Sequence, residues 1–181
     1  MLGKREIMNK KLIDIAIERL SYQLIEKHNK FESSILIGLQ PRGAFLCKRV
    51  LKKLKFLLPT IDVKSGNLDI SFYRDDLMRR DHPIEPDIMD INLSFEDKNI
   101  ILVDDVLFTG RSIRSALDAI LAFGRPKTVE LLTLINRRFS RHLPIEPTYV
   151  GKTIDALSEE KVIVEWKELH GIDRVLMKKN T

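Results

Sequence analysis

The chain has few of the features that mark specialised protein classes. A single cysteine in 181 residues, Cys47, rules out an internal disulfide and favours a reducing cytoplasm. Its neighbours Phe45, Leu46 and Val50 mark it as a small core residue rather than a nucleophile. No apolar run approaches the roughly 18 residues of a membrane span. Met1 to Lys11 carries charges without the apolar stretch of a signal peptide. The expectation is a soluble, cytoplasmic protein with no membrane partner. The four histidines, His28, His82, His142 and His170, lack metal-ligand spacing, so no structural metal is expected. Glycine-rich dinucleotide loops, internal repeats and low-complexity tracts are also absent.

What is present fits one domain with a real core. Hydrophobic residues make up 44% and charged residues 31%, which excludes a disordered tail or a fibre. The net charge of +5 is unevenly spread. Residues 1–60 hold 13 basic and 5 acidic side chains, whereas residues 61–100 hold 5 and 10. A basic N-terminal third invites a polyanion partner, against the competing account of a lysine-rich solvated helix surface.

Ile13, Ile17, Leu20 and Leu24 recur at helical spacing and predict an amphipathic helix over about 10–28. Ser34 to Leu39 is a short, continuously apolar run, the pattern of a strand buried on both faces. Gln40-Pro41-Arg42-Gly43 breaks it, and Ala44 to Leu57 resumes helical spacing. Alternation over Leu68, Ile70 and Phe72 predicts a half-exposed strand. Residues 74–97 contain Pro83, Pro86 and many acids, a long connection of the kind that carries function or disorder. Ile100 to Val103 is a second buried strand ending at Asp104-Asp105, followed by a loop over 106–111. A helix through Ile113 to Leu121 stops at Gly124, with Pro126 beyond it, and Thr128 to Ile135 is a further strand. Strands separated by helices imply right-handed crossovers and a parallel sheet covered on both faces. Tyr149-Val150, Val162 to Trp166 and Arg174 to Met177 read as short strands at the sheet edge.

Asn99 to Ser112 is the most informative stretch. Four apolar residues place two adjacent carboxylates, Asp104 and Asp105, at the carboxyl end of a parallel strand, where open α/β sheets bind ligands. Thr109, Gly110 and Ser112 then lie in a tight turn at a helix N-terminus. Its unpaired N–H groups, two hydroxyls and helix dipole suit a phosphate. The same few residues offer acceptors for sugar hydroxyls and donors for a phosphate, spaced for one phosphorylated ribose.

This string closely resembles the signature with which type I phosphoribosyltransferases bind phosphoribosyl pyrophosphate (PRPP). The resemblance covers about 10–166. Ile37 to Gly43 matches the family's pyrophosphate loop, Asp69 to Leu77 its Tyr-Arg-Asp-Asp segment, and Gly124-Arg125-Pro126 the turn after its PRPP helix. Leu143-Pro144-Ile145 and Tyr149 to Lys152 match the stretch after its base-binding loop. Hypoxanthine-guanine members carry a proton-handling aspartate before the threonine; here Phe108 stands there and cannot do that work. Leu107 to Arg111 instead resembles the pyrimidine operon attenuation regulators, the PyrR family, which bind RNA and also have uracil phosphoribosyltransferase activity.

The resemblance implies an α/β, Rossmann-like type I phosphoribosyltransferase fold. It would be one domain over 1–181, with a flexible hood over roughly 68–97 that includes Tyr73 and Arg74. Asp104 and Asp105 would hold the ribose hydroxyls and act catalytically. Val106, Leu107, Phe108, Thr109, Gly110, Arg111 and Ser112 would bind the 5′-phosphate and ribose. Gln40, Pro41, Arg42 and Gly43 would meet the pyrophosphate, with Mg²⁺ as cofactor. Pro41 replaces the family's usual threonine, and a cis Gln40–Pro41 bond is predicted. Asn136-Arg137-Arg138 stands where relatives read Asp-Arg-Gly; Arg137 with Asn136, and Val162 in the next strand, are the base or nucleotide candidates.

Uracil and PRPP as substrates, with UMP as product, form the leading reading. The alternative is a UMP-dependent RNA-binding regulator with weak or no transferase activity. Arg19, Lys27, Arg141 and Lys152 fall at positions often basic in the family and are the candidates for leader-RNA contact. Glu18, Tyr22 and Glu146 interrupt that surface. A homodimer or higher homo-oligomer is implied.

Overall fold

A computed structural model describes residues 4–70, 94–157 and 159–179. The elements are β1 (Arg5–Asn9), α1 (Lys10–His28), β2 (Ser34–Leu39), α2 (Arg42–Leu57), β3 (Lys64–Leu68), β4 (Asn99–Leu107), α3 (Arg111–Leu121), β5 (Thr128–Arg138), β6 (Tyr149–Asp155), β7 (Glu160–Glu165), α4 (Lys167–His170) and β8 (Arg174–Lys179). Five strands form a parallel sheet in the order β3-β2-β4-β5-β6. Every residue of β2 is buried, as its unbroken apolar run requires when helices cover both faces. One face packs α1 and α2 through Ile13, Leu20, Leu24, Leu46, Val50 and Leu54. The other packs α3 through Ile113, Ala116, Ala119 and Ile120 against Ile35, Ile37, Ile100 and Leu102.

The helix over 10–28 and the strand over 34–39 lie where the apolar spacing puts them. Asn9 caps α1 by accepting from the Leu12 N–H at 3.0 Å. Four other expectations are corrected. Leu68, expected to open a strand, instead ends β3, a polar edge strand whose sequence Lys-Ser-Gly-Asn-Leu carries no alternation; Phe72 and Tyr73 of the expected strand lie outside the described residues. β4 does not end at Asp104-Asp105 but continues to Leu107, paired with β5 as far as Leu107 opposite Asn136. β5 likewise runs through Asn136-Arg137-Arg138, so these residues lie in the strand and not in a loop after it. The C-terminal segments 160–165 and 174–179 are not edges of the main sheet. They form a second, antiparallel sheet, β1-β8-β7, with β1, whose pattern gave no signal. The expected hood falls largely on 71–93, so Tyr73 and Arg74 lie outside the described residues.

Candidate active site

β2 and β4 are neighbours, so the loops at their carboxyl ends open side by side. Gln40 continues from β2 and is anchored by its N–H to the Leu68 carbonyl of β3 at 3.0 Å. The Gln40–Pro41 bond is cis, as predicted. α2 then starts hard against β4: a Cβ on Gly43 would stand 2.3 Å from the Val103 carbonyl oxygen and 3.0 Å from Asp104 Cα. Glycine at 43 is therefore a packing requirement that brings Arg42 beside the acidic pair.

Asp104 is partly exposed and Asp105 buried. The Asp105 N–H donates to Asp104 Oδ1 at 2.9 Å, and Asp105 Oδ2 has no donor among the described residues. Burial raises both carboxyls. The Asp104 value stands well above the usual carboxylate range, with the Asp105 charge adding to burial. Asp105 is raised to about 6 by burial, with Arg42 pulling it back. The Asp105 oxygen without a donor leaves an acceptor that a hydroxyl group, such as those of a ribose diol, could satisfy.

Two cavities meet at this pair. One, of about 510 Å³, is lined by Asp104, the segment 106–112 from the end of β4 to the start of α3, Ile113 and Ser115. The other, of about 390 Å³, is lined by Leu39, Gln40, Pro41, Arg42, Ile70, Asp104, Asp105, Val106 and Ser112. Asp104, Val106 and Ser112 border both. The first cavity ends at α3, whose N-cap Gly110 sits at φ 91° and makes no side-chain cap, leaving the first-turn N–H groups directed at the cavity. Thr109 Oγ1 accepts weakly from the Arg111 N–H at 3.4 Å.

The segment after β5 closes over this loop. The His142 N–H donates to the Thr109 carbonyl at 3.0 Å, and Ile145 and Leu143 pack on Gly110. Arg141 bridges the two segments, donating to the Phe108 carbonyl and to Asn136 Oδ1 at 2.7 Å. Beside it the Arg137 guanidinium lies 3.8 Å over the Phe108 ring and donates to the Leu157 carbonyl at 3.0 Å. Phe108, 38% exposed, thus covers the Arg137 guanidinium, which is 3% exposed, beside the loop between β4 and α3.

The structure thus gathers Gln40 to Gly43, Asp104 to Ser112, Asn136 and Arg137. Val162 is not gathered with them: it is a core residue packed with Val164, Trp166 and Met177, in an edge strand of the second sheet. The bracing role of Arg141 was missed by sequence reasoning, since an arginine in a loop gives no sign of which carbonyl it meets. The other three candidates for RNA contact also have partners within the chain. Arg19 donates to the Val150 and Gly151 carbonyls, Lys152 to the Ile7 carbonyl, and Lys27 pairs with Glu130 at 2.9 Å.

Among the described residues no group of three or more metal-ligating side chains occurs, and no helix is long and apolar enough to cross a membrane. Chemically, the Asp104–Asp105 oxygens with a polyphosphate fit a hard cation such as Mg²⁺, which takes most of its ligands from substrate and water.

Comparison with known proteins agrees with this geometry. The family model for phosphoribosyl transferase domains matches residues 4–168. The bifunctional protein PyrR of Enterococcus faecalis is 41% identical over 178 residues, covering 98% of each chain. That of Oceanobacillus iheyensis is 41% identical over 177 residues, with 97% of each covered. Among solved structures, the hypoxanthine phosphoribosyltransferase of Staphylococcus aureus superposes with a TM-score of 0.71 at 19% identity, over 99% of this chain and 93% of that one. The Trypanosoma cruzi enzyme reaches 0.73 at 13%, covering 98% and 97%. These two likenesses establish the fold, and the sequence matches establish the kinship: the chain belongs to the PyrR family of type I phosphoribosyltransferases.

Proposed function

We propose that the chain is a UMP-dependent RNA-binding regulator of pyrimidine gene expression built on a phosphoribosyltransferase site. The kinship to proteins named bifunctional PyrR, along almost the whole chain, puts this reading ahead of the order expected from sequence. The observation that carries it is the first cavity, which has a seat for each part of a nucleotide. The α3 turn would take the 5′-phosphate, Asp104 with Asp105 behind it the ribose hydroxyls, and the exposed Phe108 ring, backed by the buried Arg137, a planar base.

Transfer of phosphoribose to uracil is the second reading, and a different observation favours it. A protein that only senses UMP has no use for a second polyanion seat. Yet the Gln40–Arg42 loop opens a cavity on the far side of Asp104 and Asp105. In this reading Arg42 meets the pyrophosphate of PRPP with its planar fork. The carboxylates orient the ribose and favour positive charge on the ring as the pyrophosphate leaves and uracil attacks. Asp104 and Asp105 are the residues that would hold Mg²⁺ together with PRPP, and the chemistry it would supply is neutralisation of charge on the pyrophosphate. Tyr73 and Arg74 are proposed to belong to a hood that covers the site and excludes water. We further propose that the protein forms a homodimer or higher homo-oligomer and works in the cytoplasm.

One experiment separates the readings. The protein is incubated with PRPP, Mg²⁺ and, in turn, uracil, hypoxanthine, guanine and orotate, and in parallel with a leader RNA with and without UMP. RNA retention that requires UMP supports the regulator, and UMP formed from uracil alone supports transfer. Product from a purine alone overturns the uracil assignment, and RNA retention indifferent to UMP overturns the regulator.

A further inference from the structure

The basic excess of the first 60 residues is not absorbed by the nucleotide site, and α2 holds much of it. This helix carries six basic residues and no acidic one. Arg42 faces the site. Arg49 is consumed by Glu168 and Asp173, each at 2.7 Å, and its guanidinium stacks on Trp166 at 4.6 Å. Lys53 pairs with Glu18 at 2.7 Å. Nearby on α1, Lys10 pairs with Asp14. Every acid bordering this surface is therefore matched to a base other than Lys48, Lys52 and Lys55. Those three lysines are exposed and have no acidic partner among the described residues.

Their spacing gives them one direction. At about 100° and 1.5 Å per residue, positions 48, 52 and 55 fall within an arc of roughly 60° and span roughly 10 Å. Phe56, 78% exposed, stands on the same side next to Lys52, with Lys53 Nζ 5.6 Å from its ring centroid. An aromatic ring this exposed is costly beside water unless something covers it. Phe56 and Lys52 also border a cavity of about 570 Å³ between α1, α2 and α4, whose other walls are Ile17, Lys53 and the neutralised pairs Lys10–Asp14 and Arg49 with Glu168 and Asp173. Unpaired cations at phosphate-like spacing, an open aromatic face and an adjoining recess are the elements of a surface for single-stranded nucleic acid. There the phosphates meet lysines and an unstacked base lies on the ring.

We infer that the outer face of α2, with Lys48, Lys52, Lys55 and Phe56, is a contact surface for single-stranded RNA. It is separate from the α1 and β6 side, where Arg19, Lys27 and Lys152 bond within the chain. This inference rests on the RNA-binding half of the proposed function and gives it a location.

The test measures binding of a fluorescently labelled, unstructured pyrimidine-rich RNA by anisotropy, with the full chain and UMP, from low to moderate salt. Wild type is compared with K48E/K52E/K55E, with F56A, and with R19E/K152E. The triple variant is expected to bind at least tenfold more weakly, and its log–log salt slope to flatten by roughly 2, as the loss of three single-strand phosphate contacts requires. F56A is expected to lose at least fivefold, with an unchanged salt slope, because stacking is not ionic. UMP binding, measured by equilibrium dialysis, should be unchanged in both and shows that they fold.

A triple variant that binds RNA like wild type while R19E/K152E loses it overturns the inference and leaves the regulator standing. No RNA binding by wild type at any salt overturns both. Loss of self-association by the triple variant in sedimentation velocity, with RNA binding intact, shows the face to be an interface between copies and also overturns the inference.

Discussion

Asp105 illustrates how a binding site is kept at the expense of stability. In the folded chain its carboxyl is raised to about 6, against an ordinary value near 3.8, because it is buried with one oxygen lacking a donor. A carboxyl raised on folding favours the folded state most when protonated. Its contribution is therefore complete below about pH 4 and is lost as pH climbs through about 6. Asp105→Asn, which cannot ionise, should be the more stable protein at pH 7 by roughly 3 kcal/mol at most, since each pH unit is worth about 1.4. The gain should vanish near pH 4. Thermal denaturation of both proteins between pH 4 and 8 checks this, and a difference independent of pH would contradict the assignment. In the proposed role the ionised carboxylate would accept a ribose hydroxyl more strongly than the protonated acid does. PRPP affinity of the wild type should therefore weaken as pH falls below about 6, by up to tenfold per unit, whereas that of Asp105→Asn should be weak throughout and flat. Titration calorimetry with Mg²⁺ present reads both.

At the scale of elements, the site depends on two close approaches. The first is α2 against β4 at Gly43, where an added methyl group would meet backbone and not a side chain that can turn aside. Gly43→Ala should cost about 2 kcal/mol or more, since overpacking against fixed backbone is relieved only by moving the helix. It should also weaken PRPP binding by displacing Arg42. Urea denaturation and calorimetry on one preparation measure both effects. The second is the segment after β5 against the loop between β4 and α3, braced by Arg141. Hydrogen bonds from a charged donor contribute about 1.5–3 kcal/mol, so Arg141→Ala should weaken UMP binding by roughly tenfold or more. Were Arg141 only an RNA contact, UMP binding without RNA would not change.

These approaches also explain what the sequence reveals of the site and what it hides. Asp104-Asp105 and Thr109-Gly110 are legible because carboxylates after an apolar run, and glycine before a helix, each have a local cause. The packing role of Gly43 and the bracing role of Arg141 are hidden, although the sequence singles out both residues, because their partners, Val103 and Phe108, are distant in the chain. The extension of β4 and β5 past their apolar cores is hidden for a related reason. Asn136 and Arg137 are held in the strand by pairing with β4 and β6, against their own weak preference for it.

At the scale of the whole molecule, the second sheet was the least legible part, because short strands at both ends of the chain pair with each other. Arg5 opposes Met177, and Val162 opposes Met177 from the other side. The sheet is bound to the main core through Met8, Val162, Val164, Trp166, Val175 and Met177, which pack in one cluster with Leu46, Val103 and Ile135. Trp166 is fully buried there, and Arg49 of α2 stacks on it while holding Glu168 and Asp173 beyond the strand. A sheet that shares its apolar cluster with the larger one has no separate core on which to unfold. We therefore expect one cooperative unit over the chain. Trp166 is the only tryptophan, so its fluorescence reports the junction where the second sheet meets α2 and the main core, while far-ultraviolet circular dichroism is dominated by the helices packed on the first sheet. The two signals should trace a single transition with the same midpoint in urea, as two-state unfolding demands. Trp166→Phe, which keeps most of the apolar contact but narrows the surface under Arg49, should move that midpoint down in the circular dichroism trace although no residue of the main sheet has changed. An earlier fluorescence transition in the wild type, with the dichroism unaltered, would show instead that the second sheet comes away by itself.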